Sequence, residues 1–456
     1  MSDCQFTAEY FDYENNKNTP FRCREVALDT GFCMFHDEIY YTKNKQEVLQ
    51  CFMDKLKKAI DNNEVLRCVG YNIPEDVHLT NKRFSRPVYF SKARFYGKVY
   101  FTDSHFHKEA YFKDAIFYDK VHFGAVNFHQ EANFTEANFQ EANFRQAIFH
   151  HKAYFFEARF KEAYFIDVNF QEANFTEANF QEVYFREAKF HSKTYFLEAR
   201  FKEADFTKAE FGDDTTFENV VFEDQEKILF GVEELSKVSF INTDITRVRF
   251  GEVVWGKGKD NRYKVIDEER FEEYFEKFPG QVTLGDVKTI YRNLRENYEF
   301  RLRYEEAGRF FIREMELKRN YREFNSEGNY KIKRNGWFRR NVSLAGLYYH
   351  LSRYGESLFR PAVLGIMIVS FSILYWSMQS NPSTLQPSFI YDGVSQLGNS
   401  THLGKALERS VADSFPFLSL GSAVVLQDYI IKSLSFLSFG LLAIALRRKY
   451  ERKFRH

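Results

Sequence analysis

The sequence has little cysteine, no excess of charge of either sign and no motif of a catalytic site. Its 456 residues include five cysteines, all within the first 68 positions, and a chain this long can bury a large core without disulfides. Lysine plus arginine and aspartate plus glutamate both number 64, which excludes a generally basic nucleic-acid binder and a generally acidic DNA mimic. The sequence shows neither a phosphate-binding glycine loop nor a nucleophile elbow, so we expect a protein that is not an enzyme.

The abundant residue is phenylalanine, which occurs 53 times. Between Phe84 and Phe222 it recurs at steps of five or six, usually with a small residue two positions earlier. A period of five fits neither an α-helix nor a flat strand, but it fits a chain that turns a corner every five residues. Four sides form a coil of about 20 residues, and successive coils pair as parallel strands about 4.8 Å apart. The predicted interior stack includes Phe134, Phe139, Phe144, Phe170, Phe175 and Phe180.

Residues 131–139, with the sequence Glu-Ala-Asn-Phe-Thr-Glu-Ala-Asn-Phe, resemble the pentapeptide-repeat family in its Ala-Asn-Phe-x-x form. The resemblance implies a right-handed quadrilateral parallel β-helix. Extending the register in both directions predicts a solenoid over residues 66–256, with about nine coils. Several six-residue steps carry a lysine three positions before the phenylalanine and are predicted to be widened sides or bulges, at Lys98, Lys120, Lys152 and Lys193.

Some members of that family bind DNA topoisomerases through a strongly acidic, DNA-like rod. In this chain lysines, arginines and histidines interrupt the outward positions of the repeat. A soluble topoisomerase-binding rod is therefore disfavoured, and we expect no nucleic-acid partner. A cytoplasmic protein that docks on the solenoid is the expected soluble partner.

The two ends of a solenoid expose strand edges, which would aggregate unless other segments cover them. Ahead of the repeats, apolar residues follow a helical period at Leu49, Phe52, Met53, Leu56 and Ile60. We assign residues 46–65 to a capping helix at the N-terminal end.

Residues 1–45 contain a Cys-x18-Cys-x9-Cys-x2-His pattern, formed by Cys4, Cys23, Cys33 and His36. The last two lie close together on a predicted turn and suit two ligands of one tetrahedral metal. The pattern resembles small Cys3His knuckles that precede some pentapeptide-repeat segments, which implies a structural Zn²⁺. Free thiols of a reduced cytoplasm are the alternative. Disulfides are disfavoured because the cysteine number is odd and no segment resembles a cleaved signal peptide.

The low mean hydropathy of −0.49 conceals two apolar runs, residues 361–378 and 429–446. Each is close to the minimum length of a transmembrane helix. We assign residues 359–448 to a two-span membrane domain and residues 449–456 to a basic cytoplasmic tail, with two soluble core helices as the alternative. Basic residues flank the spans and are few between them. The positive-inside rule therefore predicts a plasma-membrane protein with its solenoid and both termini in the cytoplasm and the loop 380–428 outside.

The order of span, polar loop, amphipathic helix, small-residue turn and span resembles the two-span pore domains of tetrameric cation channels. Potassium-selective members carry Thr-x-Gly-Tyr-Gly after the pore helix. Only Ser419, Leu420, Gly421 and Ser422 occupy that place here, so potassium selectivity is unsupported. The alternative is an amphipathic helix that lies on the outer leaflet. Ser433 and Ser438 either line a pore or let helices pack closely.

Residues 257–358 are predicted to be a helical connector, with two helices separated at Gly308. The whole pattern yields two hypotheses. In the first, the protein is an ion-channel-like pore that is gated or docked through its solenoid. Two helices per chain cannot enclose a channel, so this hypothesis requires an oligomer, and the resemblance to tetrameric channels implies a tetramer. In the second, it is a membrane-tethered scaffold without a pore. Both imply contact with membrane lipid.

Overall fold

A computed structural model of the chain describes residues 2–12, 17–258, 262–275, 282–326, 329–379 and 426–454. The chain divides into two compact units, residues 1–300 and residues 301–456. The first unit contains the repeats and the segments that cover their two ends. The second contains a β-hairpin and several helices, two of which are strongly apolar.

Each side of the repeating coil buries one large and one small side chain. Along the strand Asn138–Asn143, Phe139 and Ala142 are buried, while the residues beside them are exposed or half-buried. The small residue leaves space at the corner for the neighbouring aromatic ring, and the remaining positions of each repeat face solvent. A five-residue period therefore turns one large and one small side chain inward on every side of a square coil. The helical period of 3.6 residues and the strand period of 2 would not do so.

The corners of the coil are of two kinds. At every second corner one residue adopts a left-handed conformation, as do Glu136 and Gln146, each with φ of 58°. The amide of Ala137 donates a hydrogen bond to the carbonyl of Phe134 across the first of these corners, at 3.1 Å, which closes a four-residue turn. At the other corners the strand bends and continues, so one strand can serve two sides.

The sides stack into two parallel sheets, of 14 and 12 strands, and form a β-solenoid of about nine turns. Residues one coil apart lie side by side, as Phe139 does with Phe160 and Phe160 with Phe180. The solenoid strands are β3 (Leu66–Arg67), β4 (Asn72–Ile73), β5 (Val77–His78), β6 (Arg83–Phe84), β7 (Val88–Tyr89), β8 (Arg94–Phe95), β9 (Val99–Tyr100), β10 (His105–Phe106), β11 (Ala110–Tyr111), β12 (Ile116–His122), β13 (Asn127–Phe128), β14 (Ala132–Asn133), β15 (Asn138–Asn143), β16 (Ile148–Tyr154), β17 (Arg159–Tyr164), β18 (Asn169–Asn174), β19 (Asn179–Tyr184), β20 (Lys189–Phe190), β21 (Thr194–Tyr195), β22 (Arg200–Asp205), β23 (Glu210–Phe211), β24 (Thr215–Thr216), β25 (Val221–Phe222), β26 (Ile228–Phe230), β27 (Val238–Ser239) and β28 (Arg249–Phe250).

Within the solenoid the phenylalanine rings form columns that run along the stack. In one column successive rings lie 4.8–5.1 Å apart and within 9° of parallel, through Phe101, Phe123, Phe144, Phe165, Phe185 and Phe206. Rings of neighbouring columns meet edge to face, as Phe144 and Phe155 do at 5.7 Å and 88°. Stacked and edge-to-face arrangements are the two that aromatic pairs prefer. Contacts within each column and contacts between columns therefore both stabilise the interior.

The six-residue steps produce local irregularities in the ladder. The pairing of β12 with β15 shifts register between Phe117 and Lys120, and the pairing of β16 with β18 shifts between Phe149 and Lys152. Each shift places one extra residue in one strand, which is the definition of a bulge. The widened sides leave the phenylalanine columns continuous.

Four elements precede the solenoid: the antiparallel strands β1 (Thr7–Asp12) and β2 (Lys17–Arg22), and the helices α1 (Glu38–Lys43) and α2 (Lys45–Asp61). Helix α2 buries one face, formed by Val48, Phe52, Leu56 and Ala59. The Phe52 ring lies 6.4 Å from that of Phe90, which follows β7 in the second coil. Apolar contact with the solenoid interior thus explains why this amphipathic sequence is helical.

Two helices follow the solenoid in the first unit, α3 (Ile266–Tyr274) and α4 (Leu284–Phe300). Trp255, near the end of the last coil, is buried, and its indole N–H donates a hydrogen bond to the Tyr298 hydroxyl at 2.8 Å. The side-chain amide of Asn297 donates to the carbonyls of Ile245 and Val248, at 2.8 and 2.7 Å. Helix α4 therefore supplies donors to the backbone of the last coil.

The second unit contains helix α5 (Tyr304–Asn320), the antiparallel strands β29 (Tyr321–Ser326) and β30 (Asn329–Arg334), and the helices α6 (Trp337–Val342), α7 (Leu344–Ser352), α8 (Phe359–Gln379) and α9 (Leu426–Phe454). Two details differ from the sequence prediction. Gly308 lies inside α5 and does not separate two helices, because the break comes earlier, at Leu302 with φ of 63°. The connector also contains the β29–β30 hairpin, so it is not purely helical.

One helix in the described part of the chain is long and apolar enough to cross a membrane. It is α9, in which residues Ile430–Arg447 have a mean hydropathy of 1.7. Helix α8 is apolar over the shorter stretch Phe359–Leu374. A second transmembrane helix at residues 361–378 therefore stays a prediction.

Candidate metal centre

The four predicted metal ligands are brought together by the β1–β2 hairpin and the turn that follows it. Cys4 lies just before β1 and Cys23 just after β2, so strand pairing places them side by side. Cys33 and His36 lie on a tight turn in which the amide of His36 donates to the carbonyl of Cys33 at 2.9 Å. The side chain of Asp37 then accepts from the amide of Tyr40 and caps helix α1, which ends the turn.

The four ligand atoms, three sulfurs and one imidazole nitrogen, lie within 4.8 Å of one another. The Cys23 and Cys33 sulfurs are 3.8 Å apart, and Nδ1 of His36 lies 3.6 Å from the Cys4 sulfur and 3.1 Å from the Cys33 sulfur. Two thiolates at about 2.3 Å from a tetrahedral Zn²⁺ would be about 3.8 Å apart. The donor set and most of these distances therefore fit a four-coordinate zinc ion.

The surroundings of the cluster leave Nδ1 of His36 as the nitrogen available to a metal. Nε2 of His36 lies 3.3 Å from the carbonyl of Val69, to which it can donate. The Phe6 ring stacks on the imidazole at 3.8 Å. A side chain at Gly70 would collide with Phe6, since a Cβ there would lie 2.3 Å from its ring. The glycine, with φ of 71°, thus makes room for the ring that holds the histidine.

The three sulfurs are buried, and those of Cys23 and Cys33 lie within hydrogen-bonding distance of each other. The Cys33 thiol donates a hydrogen bond to Cys23, which lowers the pKa of Cys23 to about 4, and the same bond raises the pKa of Cys33. The amide of Cys33 donates to the Cys4 sulfur at 3.2 Å. Because all three cysteines are almost inaccessible to solvent, a metal here would have a closed coordination sphere, which is typical of a structural site and not of a catalytic one.

Comparison with protein families identifies the repeats. Two family profiles, both described as pentapeptide repeats, match the solenoid, one over residues 72–116, 112–159 and 175–221 and the other over residues 153–191. The solenoid is a pentapeptide-repeat domain. The matches cover residues 72–221 without a gap, and they include no part of the metal cluster or of the apolar helices.

Among curated proteins no match was found. Two solved structures are similar to the pentapeptide-repeat domain. One is HetL, a pentapeptide-repeat protein involved in heterocyst differentiation regulation from the cyanobacterium Nostoc sp. strain PCC 7120, with 13% identity over 46% of this chain and 97% of that chain and a TM-score of 0.22. The other is QnrB1, a plasmid-mediated fluoroquinolone resistance protein, with 17% identity, 41% and 89% coverage and a TM-score of 0.19. Scores this low support no functional argument.

The predicted pore residues fare differently from the metal ligands. Ser419, Leu420, Gly421 and Ser422 lie outside the described residues. Ser433 is exposed on α9, whereas Ser438 is buried and its hydroxyl donates to the carbonyl of Pro361 on α8 at 2.9 Å. This contact is of the kind that close helix packing produces, and a pore-lining role for Ser438 stays a prediction.

Sequence reasoning missed a polar cluster beside the cysteines, formed by Glu25, Lys55 and Tyr71. The Tyr71 hydroxyl donates to Glu25 at 3.0 Å and accepts from Lys55 at 2.9 Å. Burial opposes ionisation of Glu25, but the hydrogen bond and charge of Lys55 outweigh it and lower the pKa of the carboxyl. The three residues are 16 to 46 positions apart in sequence, and no local pattern links them.

Proposed function

We propose that this protein is a membrane-anchored scaffold, without enzymatic activity, whose pentapeptide-repeat solenoid docks a protein partner. The observation that supports the proposal is the distribution of apolar surface on helix α9. One face packs within the chain, through Ile431, Ser435, Ser438, Leu441 and Ala445. Large apolar side chains on the other faces are exposed, namely Ile430, Leu434, Phe436, Leu437, Phe439 and Ile444.

An apolar surface that surrounds a helix on all sides except its packing face suits contact with lipid. Helix α8 repeats the pattern, with Ile366, Met367 and Phe371 more than half exposed. Gly365 of α8 would bring a Cβ to within 3.2 Å of the Ser438 hydroxyl, so small residues allow the two helices to approach closely. A helix pair that is apolar outside and contains small and hydroxyl residues at its contact is typical of membrane helices.

The basic residues place the solenoid on the cytoplasmic side in this proposal. Arg339, Arg340, Arg353 and Arg360 precede or begin α8, and Arg447, Arg448 and Lys449 lie near the end of α9. The positive-inside rule assigns both groups to the cytoplasm. That compartment also keeps cysteines reduced, which suits thiolate ligands.

Membrane fractionation tests the anchor. The full chain should sediment with membranes and resist extraction by alkaline carbonate. The double substitution Leu434→Arg and Leu437→Arg should release it, because each arginine costs about 2.5–3.5 kcal/mol at the centre of a span. Val221→Arg, which alters an exposed apolar residue of the solenoid, is the matched control and should stay with the membrane. A wild-type chain found in the soluble fraction contradicts the proposal.

The oligomeric pore stays a prediction. Its distinctive segment, residues 403–422, lies outside the described residues. Reconstitution into lipid bilayers decides between pore and scaffold, since a pore requires conductance and an oligomer in detergent. The scaffold proposal expects no conductance and expects that bulky substitutions at residues 419–422 leave partner docking unchanged.

We also propose that Cys4, Cys23, Cys33 and His36 hold a structural Zn²⁺. The close approach of four suitable ligand atoms in a buried site supports this proposal. Elemental analysis of protein purified without added metal should find about one zinc per chain. Free thiols at Cys4, Cys23 and Cys33 with no zinc, in protein that is fully folded, would contradict it.

A further inference from the structure

A cavity of about 730 Å³ lies between the β1–β2 hairpin, helix α2 and the first strand of the solenoid. Three segments line it: the hairpin and the residues that follow it, the second half of α2, and the chain from Glu64 to Tyr71. None of the proposed metal ligands contributes to its wall. Its volume falls within the range of about 300–1,000 Å³ that is usual for small-molecule sites.

The wall of this cavity carries an excess of positive charge. Five of its residues are basic and two are acidic, which corresponds to a formal charge of +3: Arg22, Arg24, Lys55, Lys58 and Arg67 against Glu25 and Glu64. Lys55 forms an ion pair with Glu25. Within the described part of the chain Arg22, Arg24 and Lys58 have no carboxylate partner, although the sequence as a whole is electrically neutral.

The base of the cavity is ordered by polar contacts. Lys55 and Tyr71 form the hydrogen-bonded cluster with Glu25 described above, and the Lys55 ammonium lies 5.3 Å from the centre of the Tyr71 ring. The Arg67 guanidinium lies 5.4 Å from the centre of the Tyr89 ring. Cations held in this way lose little conformational freedom when an anion binds, and preorganisation of this kind increases affinity.

We propose that the cavity binds a small molecule that carries at least two phosphate groups. A single phosphate contributes a charge of about −1.5 to −2 at neutral pH, which does not neutralise a wall of charge +3. Arginines also favour phosphate, because the guanidinium can donate two parallel hydrogen bonds to it. Arg22 and Arg24 flank Cys23, so the fold of the cysteine segment places both guanidinium groups at the cavity.

The ligand chemistry has two sources, a soluble nucleotide and the headgroup of a phosphoinositide lipid. Binding is measured by titration calorimetry on the full chain in detergent, with ATP, pyrophosphate, inositol 1,4,5-trisphosphate and adenosine as separate probes. We expect pyrophosphate and at least one of the two larger phosphates to bind, and adenosine not to bind. The tighter of ATP and the inositol phosphate identifies the source. Affinity should fall with added salt, since the contacts are ionic.

Variants locate the site. Arg24→Gln and Lys58→Gln should each weaken binding by about tenfold or more, because each removes charge-assisted hydrogen bonds. Lys57→Gln is the matched control, since Lys57 is the adjacent exposed lysine of α2 but does not line the cavity. Glu64→Gln should strengthen binding several-fold, because it removes a negative charge from the wall. A gain in affinity cannot result from misfolding.

The melting temperature of each variant, measured without ligand, shows whether the fold is kept. The proposal is overturned if neither ATP, pyrophosphate nor the inositol phosphate binds the wild-type chain. It is also overturned if Lys57→Gln weakens binding as much as Lys58→Gln does, or if Glu64→Gln leaves the affinity unchanged.

Discussion

The two ends of the solenoid are closed by different chemistry. At the N-terminal end, a hairpin, a cysteine–histidine cluster and the apolar face of α2 precede the first coil. At the C-terminal end, α3 and α4 supply hydrogen-bond donors and acceptors. Asn297 donates to two carbonyls of the last coil, and Asp267 accepts from the Ser239 hydroxyl. The coils between the ends share one architecture, so the difference lies in the caps alone.

This difference shows two ways to terminate a repeat. The C-terminal cap satisfies backbone groups with side chains that are always present. The N-terminal cap includes four side chains whose protonation and oxidation depend on conditions, and which the proposed Zn²⁺ would fix in place. We therefore expect the covering of the N-terminal end to depend on pH, oxidation and metal, and the covering of the C-terminal end to be independent of oxidation and metal.

The largest expected effect is the loss of the N-terminal cap in Cys33→Ser. Structural zinc contributes about 10 kcal/mol or more to small metal-dependent folds, so if the proposed Zn²⁺ is bound, removal of one ligand should unfold the segment before α2. Hydrogen exchange should accelerate there and in the first coil, while residues 230–255 keep their protection. Cys51→Ser is the control, because Cys51 is a half-buried residue of α2 outside the cluster. Equal acceleration at both ends would remove the distinction between the caps.

A smaller effect is expected at the C-terminal cap from Asn297→Ala. The substitution leaves the carbonyls of Ile245 and Val248 without their donor, at a cost of about 1–3 kcal/mol for each buried group. Denaturant unfolding and exchange near residues 240–255 would measure it. Asn293→Ala removes a single, longer bond of 3.2 Å to the carbonyl of Thr243 and should cost less. Zinc content should not change in either variant.

Asp267 should make the stability of the C-terminal cap fall as pH rises from about 4 to about 6. Burial raises the pKa of Asp267 to about 6, above its value of about 3.9 in an unfolded chain. The native state thus binds more protons between these values, so stability is greatest at low pH and falls as pH rises through 6. Asp267→Asn should remove this dependence and increase the free energy of unfolding by about 1–2 kcal/mol at pH 8, after loss of one hydrogen bond.

Asp244 in the same end is the control of opposite sign. Burial opposes its ionisation, but hydrogen bonds from Thr246 outweigh burial and lower its pKa. Asp244→Asn should therefore reduce stability at pH 8 and not increase it. If both asparagine variants change stability in the same direction, the burial argument for Asp267 is wrong.

The smallest effect concerns the middle of the solenoid. Burial and the charges of His107, His150 and His105 lower the pKa of His129, which stacks on His107 at 4.6 Å. The unfolded chain then takes up protons before the native state does, so stability should fall as pH drops below about 6.5. His129→Gln should flatten this fall by less than about 0.5 kcal/mol, because the residue is only half-buried and solvent screens its charge. Thermal unfolding between pH 5 and pH 7 measures it, and an unchanged pH profile would contradict it.

The solenoid was predictable because its signal is local and repeated. The five-residue period predicts the coil, the inward phenylalanines and the pairing of residues about 21 positions apart. The six-residue steps at Lys120 and Lys152 even marked two bulges. The cysteine–histidine pattern also named four residues that the fold brings together, since a hairpin and one turn suffice to join them.

The remaining features depend on contacts that no local pattern records. Gly308 reads as a helix breaker, yet it lies buried inside α5, where packing outweighs its low helix propensity. Asp267 looks like an ordinary charge in the first turn of a helix, and only the coil above it makes it buried. The cationic cavity takes Arg22, Lys58 and Arg67 from three separate segments, so its charge is visible only after folding.

The coil-to-coil register has a consequence for the length of the molecule. Asn138 pairs with Arg159, and the residues of each coil pair only with the coils directly before and after it. Deleting residues 138–158 would bring Arg159 opposite Ile116, the former neighbour of Asn138, with both caps untouched. The number of coils can thus change one at a time, by duplication or loss of a coil. Such a change alters the length of the solenoid and leaves both caps as they are.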